Sequence, residues 1–133
     1  MRPHDRGILF NALGFCRNNS WETKIAIKGI SMSDKTILVI GTYDTKDDEL
    51  NYLCDRIRSQ GGDVLTMDVS VLGDPSVPTD ISKHDIAKTG GSSIETAIAS
   101  EDENVAMQIM ANGAAAKALE LYLAGHIHGA IIL

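Results

Sequence analysis

Thr36-Ile-Leu-Val-Ile-Gly-Thr-Tyr-Asp-Thr-Lys-Asp-Asp-Glu49 is the stretch on which the reading of this chain turns. Its first five residues, Thr36 to Ile40, are β-branched or aliphatic and uncharged, which suits a strand buried on both faces of a parallel sheet. Gly41 breaks the run, and the periodicity then changes. Leu50, Leu53, Cys54 and Ile57 follow at i, i+3, i+4 and i+7, predicting an amphipathic helix from Lys46 to Ser59. Thr45 with Asp48 resembles a capping box, and Asp47, Asp48 and Glu49 suit the positive end of the helix dipole.

Working outward, Gly61-Gly62 stops the helix, and Val64, Leu65 and Met67 give a second strand over Asp63 to Val69. From Ser70 to Ser100 the pattern weakens, with turns at Gly73-Asp-Pro75 and Pro78 and a short helix over Ser82 to Lys88. A long helix is expected from Asp102 to Ala124, with Val105, Ile109, Ala116, Leu119 and Leu123 on its core side and Gly113 as a local weakness. Gly129-Ala-Ile-Ile-Leu133 reads as a third buried strand. Right-handed crossovers then give a Rossmann-like three-layer α/β half-domain, a parallel sheet in strand order 2-1-3. A third strand with no helix after it leaves the sheet uncovered, so truncation at Leu133 is the expectation. Residues 1–31, which include Trp21 and alternating Ile25, Ile27 and Ile30, lack sustained periodicity and are expected to be a loosely ordered extension preceding a domain of residues 32–133.

The 133 residues carry 12 basic against 18 acidic side chains, a formal charge of -6, which argues against a nucleic-acid binder because phosphate neutralisation needs a basic surface. Cys16 and Cys54 make no disulfide framework, and Cys54 on the helix's apolar stripe reads as a buried free thiol, favouring a reducing, cytoplasmic setting. No apolar run reaches the roughly 20 residues that span a bilayer. Gly7 to Phe15 is short, interrupted by Asn11 and without a small-x-small cleavage site, so it is not read as a signal peptide.

In open α/β folds ligands bind beyond the carboxyl ends of the strands, beside the next helix N-terminus. Gly41-Thr42 and Thr45-Lys46 can therefore meet phosphate oxygens through backbone N–H groups, two hydroxyls and an ammonium; a threonine-capped turn is the plain structural alternative. No Walker A loop is present. Asp44 can hold a phosphate-bound metal or act as a base, and is equally at home as a turn former. Asp68, near the end of the second strand, stands where an acidic side chain meets a ribose hydroxyl in dinucleotide folds, although Gly-x-Gly-x-x-Gly is missing. His126-Ile-His128 lacks a third ligand nearby in sequence and reads as a polar loop, not a metal pair. Gly90-Gly-Ser-Ser93 is either an anion nest or a helix stop with a serine cap for Ile94 onward.

Several of these segments coincide in one family. Ile40 to Leu50, the Gly61-Gly-Asp-Val64 strand start, Asp68-Val69, Met110-x-x-Gly-Ala114 and Gly129 to Leu133 together resemble the amino-terminal part of the tomato mosaic virus resistance protein and its bacterial and fungal relatives, a two-domain ATP-binding family. The resemblance runs from about Lys35 to Leu133 and implies ATP as ligand, with or without magnesium, in a cleft between two α/β domains. It favours ligand contact by Gly41, Thr42, Thr45 and Lys46, beside which Asp44 and Asp68 stand as candidates from their own positions, the site being completed by a glycine-rich segment and a second domain beyond Leu133. A full-length parent is expected to be a homo-oligomer. Residues 1–31 have no counterpart in that family, and the plant member's viral partner is not implied for this chain. An α/β enzyme acting on a small phosphorylated or carboxylated metabolite through Asp44 or Lys46, and a protein-binding module, are the alternatives.

Overall fold

A computed structural model describes residues 35–133, so the expectation for residues 1–31 lies outside the described residues. The elements are β1 (Thr36–Gly41), α1 (Asp47–Ser59), β2 (Asp63–Asp68), α2 (Lys83–Thr89), α3 (Ile94–Ala99), α4 (Glu103–Leu123) and β3 (Gly129–Ile132). The strands form one sheet in the order β2-β1-β3. Both pairings of β1 are parallel, Ile37 lying opposite Val64 on one side and Gly129 on the other. This is the α/β half-domain that the periodicity predicts, but the third strand is not buried as expected: β3 is an edge strand paired only with β1, and Ile131, Ile132 and Leu133 are exposed. β1 is central, and within it Leu38 and Val39 are fully buried, as a strand covered on both faces requires.

Ile37 and Val39 face α1, where Tyr43, Leu50, Cys54 and Val64 complete a core cluster. Successive strand residues alternate in direction, so Leu38 and Ile40 serve the other face. Cys54 is buried and free, as its place on the stripe predicts. Gly61, at φ 84°, ends α1 in a left-handed conformation that costs glycine little. The Gly62 amide then donates to Ile57 O (3.1 Å) and that of Gly61 to Arg58 O (3.0 Å), a Schellman stop.

Two expectations about the helices are corrected. Thr45 and Asp48 form no capping box. Lys46 is the N-cap residue of α1 and makes no side-chain cap. The Thr45 hydroxyl is instead within 3.2 Å of that of Thr42. The second correction concerns α4, whose buried residues are Ala106, Met110, Gly113 and Leu121. Val105, Leu119 and Leu123, assigned to the core side, are exposed. The reason is how closely α4 crosses α2. A Cβ on Gly113 would stand 1.9 Å from Ile86 O, and one on Gly90 would stand 2.6 Å from Ile109 O. Gly113 is therefore a packing requirement rather than a weakness, and the turns that can approach α2 decide which face is buried.

The excursion after β2 is tightly tied. Ile81 makes a single parallel bridge to Met67. The Asp80 carboxylate accepts from the Thr66 amide and hydroxyl, each at 2.9 Å. Ser82 and Asp85 cap α2 reciprocally in a full capping box. Gly90-Gly91 stops α2 and Ser93 caps α3, accepting from the Thr96 amide at 3.1 Å, so the helix-stop reading of Gly90 to Ser93 holds. Among the described residues no helix is long and apolar enough to cross a membrane.

Candidate functional site

The turn leaving β1 wraps around Thr42. Its carbonyl accepts from the amides of Thr45 (3.2 Å) and Lys46 (2.9 Å). Those two N–H groups, expected on a ligand, are thus engaged within the turn itself. Tyr43 points inward, 2 % exposed, and its hydroxyl donates to Val39 O at 3.3 Å. Burial pushes the Tyr43 phenol and the Cys54 thiol beneath it above their ordinary values. Gly41 is buried against Leu50, whose methyl groups would lie 2.7 and 2.8 Å from an added Cβ.

Asp68, at the end of β2, is 1 % exposed. One of its oxygens accepts from the Tyr43 amide (3.3 Å), the Ser70 amide (2.9 Å) and the Ser70 hydroxyl (2.6 Å). It welds the β1 and β2 carboxyl ends together. Asp44 likewise reaches across, accepting from the Gly73 amide at 3.1 Å. Asp47 accepts from the amide (2.8 Å) and hydroxyl of Ser76 and from Asn51 (3.0 Å). The Ser76 hydroxyl is the main cause holding the Asp47 carboxyl below the usual aspartate range. Lys83 is itself buried, donating to Gly73 O at 2.6 Å and pairing with Asp74 at 2.8 Å, and its ammonium keeps the Asp74 carboxyl low. Together these ties pin the 73–76 turn between the start of α1 and the start of α2.

Between this frame and α3–α4 lies a cleft of about 580 Å³, within the range of small-molecule sites. Thr42, Asp44 and Thr45 line it from the β1 side, and the 69–72 segment lines it after β2. Ala97 and Ile98 of α3, and Ala106, Met107 and Met110 of α4, form further wall. Glu101, Asp102 and Glu103 sit at the α3–α4 junction, where Glu101 holds a left-handed φ of 52°. Of the six residues singled out in the sequence, Thr42, Asp44 and Thr45 reach the cleft. Gly41 and Asp68 buttress it from behind, and Lys46 is exposed outside its lining.

Sequence reasoning missed Leu72, Ile98 and Met107, which are apolar, exposed and gathered at the cleft from separate elements. The signal available was weak: three apolar residues in segments of poor periodicity. Among the described residues no three His, Cys, Asp or Glu come together as a metal centre. His128 accepts the Thr36 amide at its Nδ1 (3.0 Å), which assigns the ring proton to Nε2 and ties the start of β3 to β1.

These features define a class: a Rossmann-like α/β protein with a ligand-sized cleft beyond the carboxyl ends of β1 and β2. Residues 35–133 match the N-terminal domain of uncharacterised protein family UPF0261, and the chain belongs to that family. A UPF0261 protein of Brucella suis biovar 1 is 45% identical over 97 residues, covering 73% of this chain and 23% of that protein. One of Clostridium tetani is 37% identical over 100 residues, covering 75% and 25%. The chain thus spans about a quarter of the length of the curated relatives it matches. No solved structure matches it. The resemblance to the ATP-binding family of the tomato mosaic virus resistance protein is corrected by these matches, which are to UPF0261 throughout. The Gly-Thr-x-Asp-Thr-Lys segment that suggested it is a strand-to-helix turn in which Asp44 holds the Gly73 loop and Thr42 caps its own turn.

Proposed function

We propose that this chain supplies part of a nucleotide-binding site, with ATP as its magnesium complex as the preferred ligand. The observation that carries the reading is the 580 Å³ cleft beside the Thr42 and Thr45 hydroxyls, beyond the carboxyl ends of β1 and β2. The apolar walls suit a base, and the hydroxyl side suits phosphate oxygens. Magnesium enters for electrostatic reasons: Asp44, Glu101, Asp102 and Glu103 line the cleft without a single basic residue, so a bare polyphosphate would be repelled. Mg²⁺ commonly keeps several waters and takes only one or two carboxylates plus phosphate oxygens, so it does not require a preformed protein cage. The buried free Cys54 is compatible with a cytoplasmic protein.

The remaining three-quarters of the relatives' length would supply the other wall. Calorimetry of a full-length relative with ATP, with and without magnesium, tests the proposal. Saturable binding that needs magnesium and is weakened by the residue changes equivalent to Thr42→Ala and Thr45→Ala supports it. Absence of binding at millimolar ATP with magnesium would defeat it.

A further inference from the structure

Three large apolar side chains that water would ordinarily drive inward stand open around the cleft. Leu72, after β2, is 81% exposed; Ile98, on α3, is 46% exposed; Met107, on α4, is 60% exposed. They come from separate elements and meet only at this cavity. The ionisable groups around it are all carboxylates. Two of these are occupied: Asp44 accepts from Gly73 and Asp102 caps α4, accepting from the Asn104 amide at 2.8 Å. Glu101 and Glu103 remain as exposed negative charge at the mouth. A phosphate placed among them meets like charge, while a flat uncharged ring removes apolar surface from water.

We infer that the cleft is a ring-binding subsite: Leu72, Ile98 and Met107 clamp the base of the nucleotide, and the phosphate end lies outward on the Thr42–Thr45 side, toward the N-terminus of α1. The inference rests on the nucleotide reading and adds the orientation of the ligand and the residues that select its ring. Ser70 is fastened to Asp68 and Gly73 to Asp44, so the backbone on either side of Leu72 is anchored at the cleft.

Methyl NMR of the 133-residue chain tests this with three probes: adenosine, ATP with magnesium, and inorganic triphosphate with magnesium. Adenosine and ATP are expected to shift the methyl signals of Leu72, Ile98 and Met107, and triphosphate to leave them in place. Leu72→Asn should weaken adenosine binding by roughly tenfold, whereas Leu119→Asn, exposed on α4 outside the cleft, should not change it. If ATP shifts Thr42 and Thr45 while adenosine leaves the three clamp residues unmoved, the orientation is wrong and the nucleotide reading stands. Triphosphate shifting the clamp signals also overturns the inference. If no probe moves any signal at millimolar concentration in this chain or in a full-length relative, the nucleotide reading fails and takes the inference with it.

Discussion

Replacing Asp68 with alanine removes the single carboxylate oxygen on which three donors converge, the Tyr43 amide, the Ser70 amide and the Ser70 hydroxyl at 3.3, 2.9 and 2.6 Å. Truncating an acceptor of a charge-assisted hydrogen bond costs about 1.5–3 kcal/mol, and bonds sharing one oxygen do not add in full. Tyr43 and Ser70 are both buried, so water cannot take over the abandoned amides. The expected loss is about 3–4 kcal/mol, a large share of the roughly 5–15 kcal/mol that holds a domain folded. Asp68→Asn keeps an acceptor oxygen in place and should lose only about 1 kcal/mol. Urea unfolding followed by far-ultraviolet circular dichroism measures both. If Asp68 were instead a ribose contact, Asp68→Asn would weaken nucleotide binding with the fold at full stability. A loss under about 1 kcal/mol in Asp68→Ala would refute the bracing argument.

Gly113→Ala tests the buried face of α4: the added methyl starts 1.9 Å from Ile86 O, so despite a gain in helix propensity the variant should lose about 2 kcal/mol in the same assay. Asp47 is held below the ordinary aspartate range by Ser76, so it stabilises the fold above that range and loses the contribution as pH falls through its depressed value. Asp47→Asn should accordingly lower stability at neutral and alkaline pH and flatten the acid side of the stability–pH curve. The 133-residue chain alone should bind ATP no better than millimolar, since much of a small ligand's affinity comes from enclosure; low-micromolar binding would mean the site is complete within it.

The strands and α1 were legible because each carries one unambiguous period. Ile37 to Ile40 are apolar without interruption, and Leu50, Leu53, Cys54 and Ile57 repeat on a single stripe. α4 was legible as a helix and illegible as a surface. Alanines and large apolar residues occur on all its sides, so which face is buried follows from the Gly90–Gly113 crossing, a contact between segments far apart in the chain. The site divides in the same way. Thr42, Asp44 and Thr45 could be placed beside the cleft from sequence because clefts in parallel α/β sheets open at strand-end turns. The inward use of Asp68, and the ties from Asp44 to Gly73 and Asp47 to Ser76, span 25 and 29 residues and leave no local pattern. Leu72, Ile98 and Met107 look like ordinary surface exceptions until the fold brings them to one cavity.

Photolabelling of the 133-residue chain with an azido-adenine nucleotide and magnesium, followed by mass-spectrometric mapping of the modified peptides, tests whether the cleft takes the base of a nucleotide. Labelling is expected in the peptides containing Leu72 and Met107, suppressed by excess ATP and by adenosine. Label confined to peptides remote from the cleft, or incorporation that neither competitor reduces, would contradict it.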